Sequence, residues 1–186
     1  MKAIVIAGPV GAGKSTVAEI VAKDLGIKFV DGGDALRELG VAKGYNLQGK
    51  NWKETPAGLE FINRRRTNPD FDRELDAFMI KKAEEGDVVM TSRTMPWLAK
   101  GTINVWLKAS MQKRVERLSM RDKISKEESE AAMRRRDEME FEIYKKMYGF
   151  EYGKDMKPFQ IIVDTDKLTK QQAADEVLVE IRKILR

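Results

Sequence analysis

Gly8-Pro9-Val10-Gly11-Ala12-Gly13-Lys14-Ser15 reads G-x-x-x-x-G-K-S, the spacing of a phosphate-cradling P-loop. The run before it, Ala3-Ile4-Val5-Ile6-Ala7, is continuously apolar, as suits a strand buried on both faces. The run after it, from Thr16 to Lys23, sets Val17, Ile20 and Val21 on one face of a helix. Glycines let successive N–H groups converge on phosphate oxygens, and the helix that follows points its positive end at the same anion. On this reading Gly8, Gly11, Ala12, Gly13, Lys14, Ser15 and Thr16 hold the phosphates of a nucleoside triphosphate. Lys14 reaches the outer phosphates and the Ser15 hydroxyl ligates Mg²⁺. A dinucleotide fingerprint is excluded, because Thr16 stands where its third glycine belongs.

The 186-residue chain suits one domain able to bury its own core. It has no cysteine and no histidine, so disulfides, thiolate metal sites and imidazole base catalysis are excluded. Any chemistry falls to Lys, Arg, carboxylates, hydroxyls and a bound cation. No apolar run is long enough to span a membrane, and the N-terminus lacks a signal-peptide pattern, so a cytoplasmic protein without a membrane partner is expected. The net charge of +5 fits either nucleic acid or small polyphosphates. Interleaved aromatic and basic residues on a strand are lacking, which makes nucleic acid the weaker option.

Further strands are expected at Ile27–Val30, Gly86–Met90, Ile103–Leu107 and Ile161–Asp164, each followed by helical periodicity. Five apolar strands alternating with helices predict an α/β fold, a parallel sheet with helices on both faces. Gly40 to Lys53 reads as a mobile polar segment. Thr55-Pro56 and Asn68-Pro69 read as the starts of two helices, the second with Phe71, Leu75, Phe78 and Met79 on its apolar face. Ser110 caps a helix bearing Arg114, Arg117 and Arg121, and Ser125 to Glu128 forms a capping box for a helix ending at Tyr148-Gly149. The last helix, opened by Thr169, has Val177, Leu178, Ile181, Ile184 and Leu185 as its core face.

In open parallel sheets ligands gather at the carboxyl ends of the strands, which is where Asp34, Arg37 and Arg93 fall. Two guanidinium groups there suit a second phosphate, although either could pair locally instead. Asp34, and after it Asp31, are candidates to position an acceptor or a Mg²⁺-bound water, and Asp34 could equally cap a helix. Asp164 could sit at the sheet end near a base. Arg117, Arg121 and the triplet Arg134, Arg135 and Arg136 read as a lid carrying arginines to a transferring phosphoryl group, or as a solvated helix face. Consecutive residues fan around a helix, so one or two of the triplet at most can reach one site. For Arg64 to Arg66 the solvated face is preferred.

These residues resemble the nucleoside monophosphate kinases, and among them the archaeal type of cytidylate kinase. Gly8 to Thr16 is similar to that family's GPPGSGKTT loop, Gly33 to Glu38 to its GD-x-x-RE segment, and Asn68 to Asp76 to its DP-x-x-DRELD segment. Gly86 to Trp97 resembles the strand that ends in a phosphate-binding arginine, here Arg93, and Tyr144 to Gly149 resembles a Y-x-x-x-YG lid ending. Asp164-Thr165 matches the polar end of the last strand. The chain departs from the pattern at Thr91, Met79, Ile143 and near Phe159-Gln160, all in acceptor pocket or lid.

The resemblance implies a three-layer P-loop kinase domain over residues 1–186, with a helical acceptor-binding insertion at about 40–85 and a lid at about 117–150. It implies ATP and Mg²⁺ as cofactors and a nucleoside monophosphate as partner, with CMP or dCMP foremost. Lys14, Arg93, Arg117, Arg121 and Arg136 would be catalytic, and Asp34, Arg37 and Arg93 would bind the acceptor. The alternatives are AMP, dTMP or a small alcohol as acceptor, or a nucleotide-binding regulatory or RNA-associated module with little turnover. Oligomeric state is not readable from the sequence.

Overall fold

The computed structural model describes residues 1–49 and 52–186, except the side chains of Glu54, Arg66 and Thr67. Five strands, β1 (Ile4–Ala7), β2 (Lys28–Asp31), β3 (Val88–Thr91), β4 (Ile103–Lys108) and β5 (Ile161–Asp164), form one sheet. Their order is β2-β3-β1-β4-β5, and every neighbouring pair is parallel. The helices are α1 (Lys14–Leu25), α2 (Gly32–Ala42), α3 (Pro56–Thr67), α4 (Asp70–Glu85), α5 (Met95–Leu98), α6 (Met111–Asp122), α7 (Lys126–Tyr148) and α8 (Lys170–Leu185).

The pleat of β1 assigns the layers. Ile4 and Ile6 point to one face and join Val17, Ala18 and Val21 of α1 and Val177 and Ile181 of α8. Ala3 and Val5 point to the other and meet Met79 and Ala83 of α4 and Met95 of α5. All four β1 residues are buried, which explains an apolar run without alternation. Burying each Val or Ile side chain is worth about 2 kcal/mol, so the central strand is fixed by hydrophobic contact on both sides. β1 pairs with β3 on one edge and β4 on the other, so the loop after it opens at the point where the winding of the sheet reverses.

Several boundaries shift. α1 begins at Lys14, because Gly13 already adopts a left-handed cap. α2 begins at Gly32, with Asp31 and not Asp34 as its cap: the Asp31 side chain accepts from the Gly33 and Asp34 amides. The segment expected to be mobile is in part ordered. α2 runs on to Ala42, a 3-10 turn covers Trp52–Glu54, and Leu47 and Trp52 are buried against Phe61 and Phe71. Lys50 and Asn51 of that segment lie outside the described residues. Phe78, Ile184 and Leu185 are exposed, because their helices have already turned past the sheet. The capping boxes at Ser125 and Thr169 form, and α7 ends at Tyr148 against Gly149. Among the described residues no helix is long and apolar enough to cross a membrane.

Candidate active site

The loop after β1 is built for close approach. Gly8 has φ 147° and Gly11 φ 82°. A Cβ at Gly8 would collide with the Leu107 carbonyl oxygen, and one at Gly11 would lie 2.8 Å from Leu118 Cδ1. The loop is also braced from behind. Tyr152 Oη accepts from Gly8 N at 3.2 Å and donates to Gly8 O at 2.6 Å. Arg114 Nε donates to Val10 O at 2.6 Å while its other end pairs with Asp137 at 2.5 Å. Lys14 Nζ donates to Pro9 O at 2.9 Å, folded back over its own loop.

Strand register then sets the acidic corner. Asp31 ends β2 directly opposite Thr91, which ends β3. Asp31 Oδ2 accepts from Ser15 Oγ at 2.6 Å and from Thr91 Oγ1 at 3.1 Å, and Oδ1 takes the two α2 amides. Burial pushes this carboxyl up, but the bonds from Ser15, Thr91 and the amides outweigh it and hold it below the usual range. Among the described residues no three acidic groups cluster as a metal cage. Ser15 and Asp31 are hard oxygen donors facing the loop, and they fit a Mg²⁺ that arrives with phosphate and water as its remaining ligands.

A cleft of about 890 Å³ opens between the loop, the strand ends, α3–α4 and α6–α7. Cations converge on it. Lys14 and Lys53 line it with Arg65, Arg93, Arg117 and Arg136. Burial, and then the nearby Arg93 charge, lowers Lys14 to about 7 and Lys53 to about 8. Arg93, just past β3, pairs with Glu140 of α7 at 2.5 Å. Burial disfavours its charge, but the Glu140 carboxylate together with Tyr144, Tyr152 and Asp137 outweighs burial and keeps it protonated. Basic side chains outnumber the carboxylates of the lining, and several of those carboxylates are already spent on Ser15, Thr94 and Arg65, so the cleft presents net positive charge to a polyanion.

The wall made by α3 and α4 is less exposed than the arginine run predicts. Arg65 is only 5% exposed and pairs with Asp72 across the Asn68-Pro69 corner, with Arg65 Nε 3.2 Å from Asp72 Oδ2. The solvated-face reading therefore fails for Arg65, which faces inward, while Arg64 stays outside beside Glu60. Asp76 accepts from Thr94 Oγ1 at 2.6 Å and from Tyr148 Oη. Burial raises the Asp76 carboxyl, and these two hydrogen bonds only partly oppose it.

The expected site residues do not all converge. Gly11, Ala12, Gly13, Lys14, Ser15, Thr16, Asp34, Arg93, Arg117, Arg121 and Arg136 line the cleft. Gly8 does not, because it sits behind the loop with both its backbone groups bonded to Tyr152. Arg37 does not: it turns back on α2 to pair with Asp34 at 3.4 Å. Arg117 donates to Thr165 O at 2.6 Å and Thr165 Oγ1 at 2.9 Å, so it ties α6 to the end of β5 instead of swinging free. Arg121 is held by its neighbour Asp122 at 2.7 Å. Of the triplet only Arg136 faces the cleft; Arg134 pairs with Glu130 on the outside. Asp164 is exposed beside Lys108. Lys53, Glu140 and Tyr152 were not singled out from the sequence. No local pattern marks Lys53 or Glu140, whereas Tyr152 stands just after the helix stop Gly149, a position that signals it.

Residues 3–167 match the model of the cytidylate kinase-like family. A cytidylate kinase of Ignicoccus hospitalis is 32% identical over 167 residues, covering 89% of this chain and 90% of that protein. One from Pyrobaculum neutrophilum is 33% identical over 175 residues, covering 93% and 89%. Among solved structures, shikimate kinase from Acinetobacter baumannii in complex with shikimate superposes with a TM-score of 0.61 at 19% identity, covering 99% of this chain and 94% of that one, a likeness of fold alone. Because the family match spans all five strands and the relatives are about a third identical over most of the chain, the chain belongs to the cytidylate kinase-like family.

Proposed function

We propose that this protein transfers the terminal phosphoryl group of ATP to a nucleoside monophosphate, CMP or dCMP, giving ADP and the diphosphate. The observation that carries this is Arg93. A half-buried guanidinium just past a strand end shares one cleft with the P-loop, so two phosphates can be gripped together. Family membership and the kinase fold support the class of reaction. Cytidylate kinase relatives at about a third identity support the base. A kinase drawing on ATP fits the cytoplasmic placement expected from the sequence.

In this reading the Gly11 and Gly13 amides and Lys14 hold the donor phosphates, Gly8 only shaping the loop with its amide on Tyr152, and Ser15 with Asp31 behind it holds Mg²⁺. When bound, Mg²⁺ neutralises charge on the donor phosphates. Arg93 holds the acceptor phosphate, with Lys53 and Arg136 facing the same space. Arg37 joins only by leaving Asp34. Helices α3 and α4 form the acceptor wall, and α6 and α7 cover the reaction and exclude water, a competing acceptor. An acceptor phosphate is already an anion at neutral pH and needs no general base, so alignment and charge neutralisation suffice without histidine.

The experiment is ADP release from ATP and Mg²⁺ with CMP, dCMP, UMP, AMP, dTMP and GMP in turn. Acceptor-stimulated release greatest with CMP or dCMP is expected. No stimulation by any monophosphate would sink the reading, and stimulation greatest with AMP or dTMP would move the base assignment.

The depressed lysines give an independent check. In the folded protein Lys14 titrates near 7 instead of 10.5, so between those values the unfolded chain binds more protons and ligand-free stability rises with pH. Phosphates reverse this by restoring the lysine charge. At pH 8, ADP binding should take up about one proton at Lys14, and CMP binding roughly half of one at Lys53. Calorimetry in two buffers of different ionisation enthalpy reads that uptake directly, and proton release at pH 8 would contradict it.

A further inference from the structure

The anion that Arg93 faces is supplied by the protein itself. Glu140 Oε1 lies 2.5 Å from Arg93 Nη1, and Glu140 is only 6% exposed. The pairing is incomplete on both sides: Arg93 Nε and Glu140 Oε2 are buried and have no hydrogen-bond partner. A carboxylate that spends one oxygen on a guanidinium and leaves the other unsatisfied is a poor permanent partner. Its reach is wide, however. The charge of Glu140 acts on Lys14, Lys53, Arg93 and Arg136, which makes it the central negative charge of a cationic cleft. It also joins two parts of the fold, since Arg93 follows β3 and Glu140 lies deep in α7.

We propose that Glu140 is a resident competitor for the acceptor phosphate, a latch that holds α7 against the end of β3 until a phosphate takes its place on Arg93. The inference rests on the reading that Arg93 receives that phosphate. A phosphate monoester carries close to two negative charges at neutral pH and offers three oxygens, against one charge and two oxygens on Glu140. It can therefore satisfy Nε as well as Nη1, which the carboxylate leaves undone. Once phosphate is present, Glu140 faces like charge and loses its partner, so α7 is free to reseat over the loaded cleft. Every phosphate ligand of Arg93 is weakened by the same factor, the fraction of molecules in which the latch is open. A nucleoside without phosphate is not weakened.

The test is calorimetric binding of CMP, inorganic phosphate and cytidine to wild type and Glu140→Gln. The variant is expected to bind CMP and phosphate each about ten-fold more tightly, by a common factor, with cytidine unchanged. Its ligand-free Tm should fall, and the gap to wild type should close at saturating CMP. Glu140→Asp, which keeps the charge but draws it back by one methylene, should shift both anions the same way and guards against a folding defect in the first variant. Unchanged or weaker anion binding in both variants overturns the latch, weaker binding meaning that Glu140 orients Arg93 for the ligand instead. Failure of the functional reading looks different: wild type then shows no monophosphate-stimulated ADP release, whatever the variants bind.

Discussion

Lys14→Ala is expected to lower the rate of ADP formation by about 10³-fold or more, the scale on which single preorganised donors act in phosphoryl and acyl transfer. Its side chain lines the cleft beside the amides of Gly11 and Gly13, where charge on the donor phosphates must be met. No neighbour replaces it: Lys53 reaches the cleft beside Gly33 at the start of α2, and Arg114 and Arg117 are committed to Val10 O and to Thr165. The same substitution should not harm the fold. In the empty protein Lys14 is a cation pressed into a cationic cleft, lowered to about 7 by burial and by Arg93. Removing it relieves that cost, so ligand-free Tm at pH 6 should hold or rise, by up to a few degrees for a chain of this length. Activity and stability then move in opposite directions. A variant that keeps a tenth of the wild-type rate would remove Lys14 from the mechanism, and a large fall in Tm would assign it a structural role.

The fold was legible because its signals are local. An unbroken apolar strand, a left-handed glycine and a capping box each act within a few residues, and α4, α7 and β5 follow the expected spans. The donor half of the site was legible for the same reason, since its parts are contiguous from Gly8 to Thr16. The acceptor half is assembled from distant pieces. Arg93 and Glu140 meet only because α7 crosses the end of β3, and Arg65 turns inward only because a helix corner brings Asp72 under it. Nothing in the triplet Arg64, Arg65 and Arg66 marks the middle one as buried. Arg37 differs the other way: it lies in the second turn of α2 and not at the end of β2, and Asp34 one turn before it is a nearer partner than the cleft. Tertiary electrostatics decides such cases, and periodicity does not carry it.

Arg93→Ala tests the acceptor half and carries the second large effect. The guanidinium is the expected grip on the acceptor phosphate, so its loss should raise the acceptor KM about 10²-fold or more and lower kcat through misalignment, with ATP affinity nearly unchanged. Stability should fall as well, for a reason that lies in Glu140. Removing one member of a buried ion pair leaves the other uncompensated, at about 3–5 kcal/mol in fully enclosed cases. Here Lys14, Lys53 and Arg136 remain near the carboxylate, so about 2 kcal/mol, or roughly 5 °C in Tm, is the expected loss. The double variant Arg93→Ala/Glu140→Gln separates the two effects. With the stranded charge gone, Tm should recover most of its loss, while acceptor use stays as poor as in Arg93→Ala alone. Recovery of both together would mean that Arg93 serves only to neutralise Glu140, and the acceptor phosphate would then have to be sought at Lys53 and Arg136.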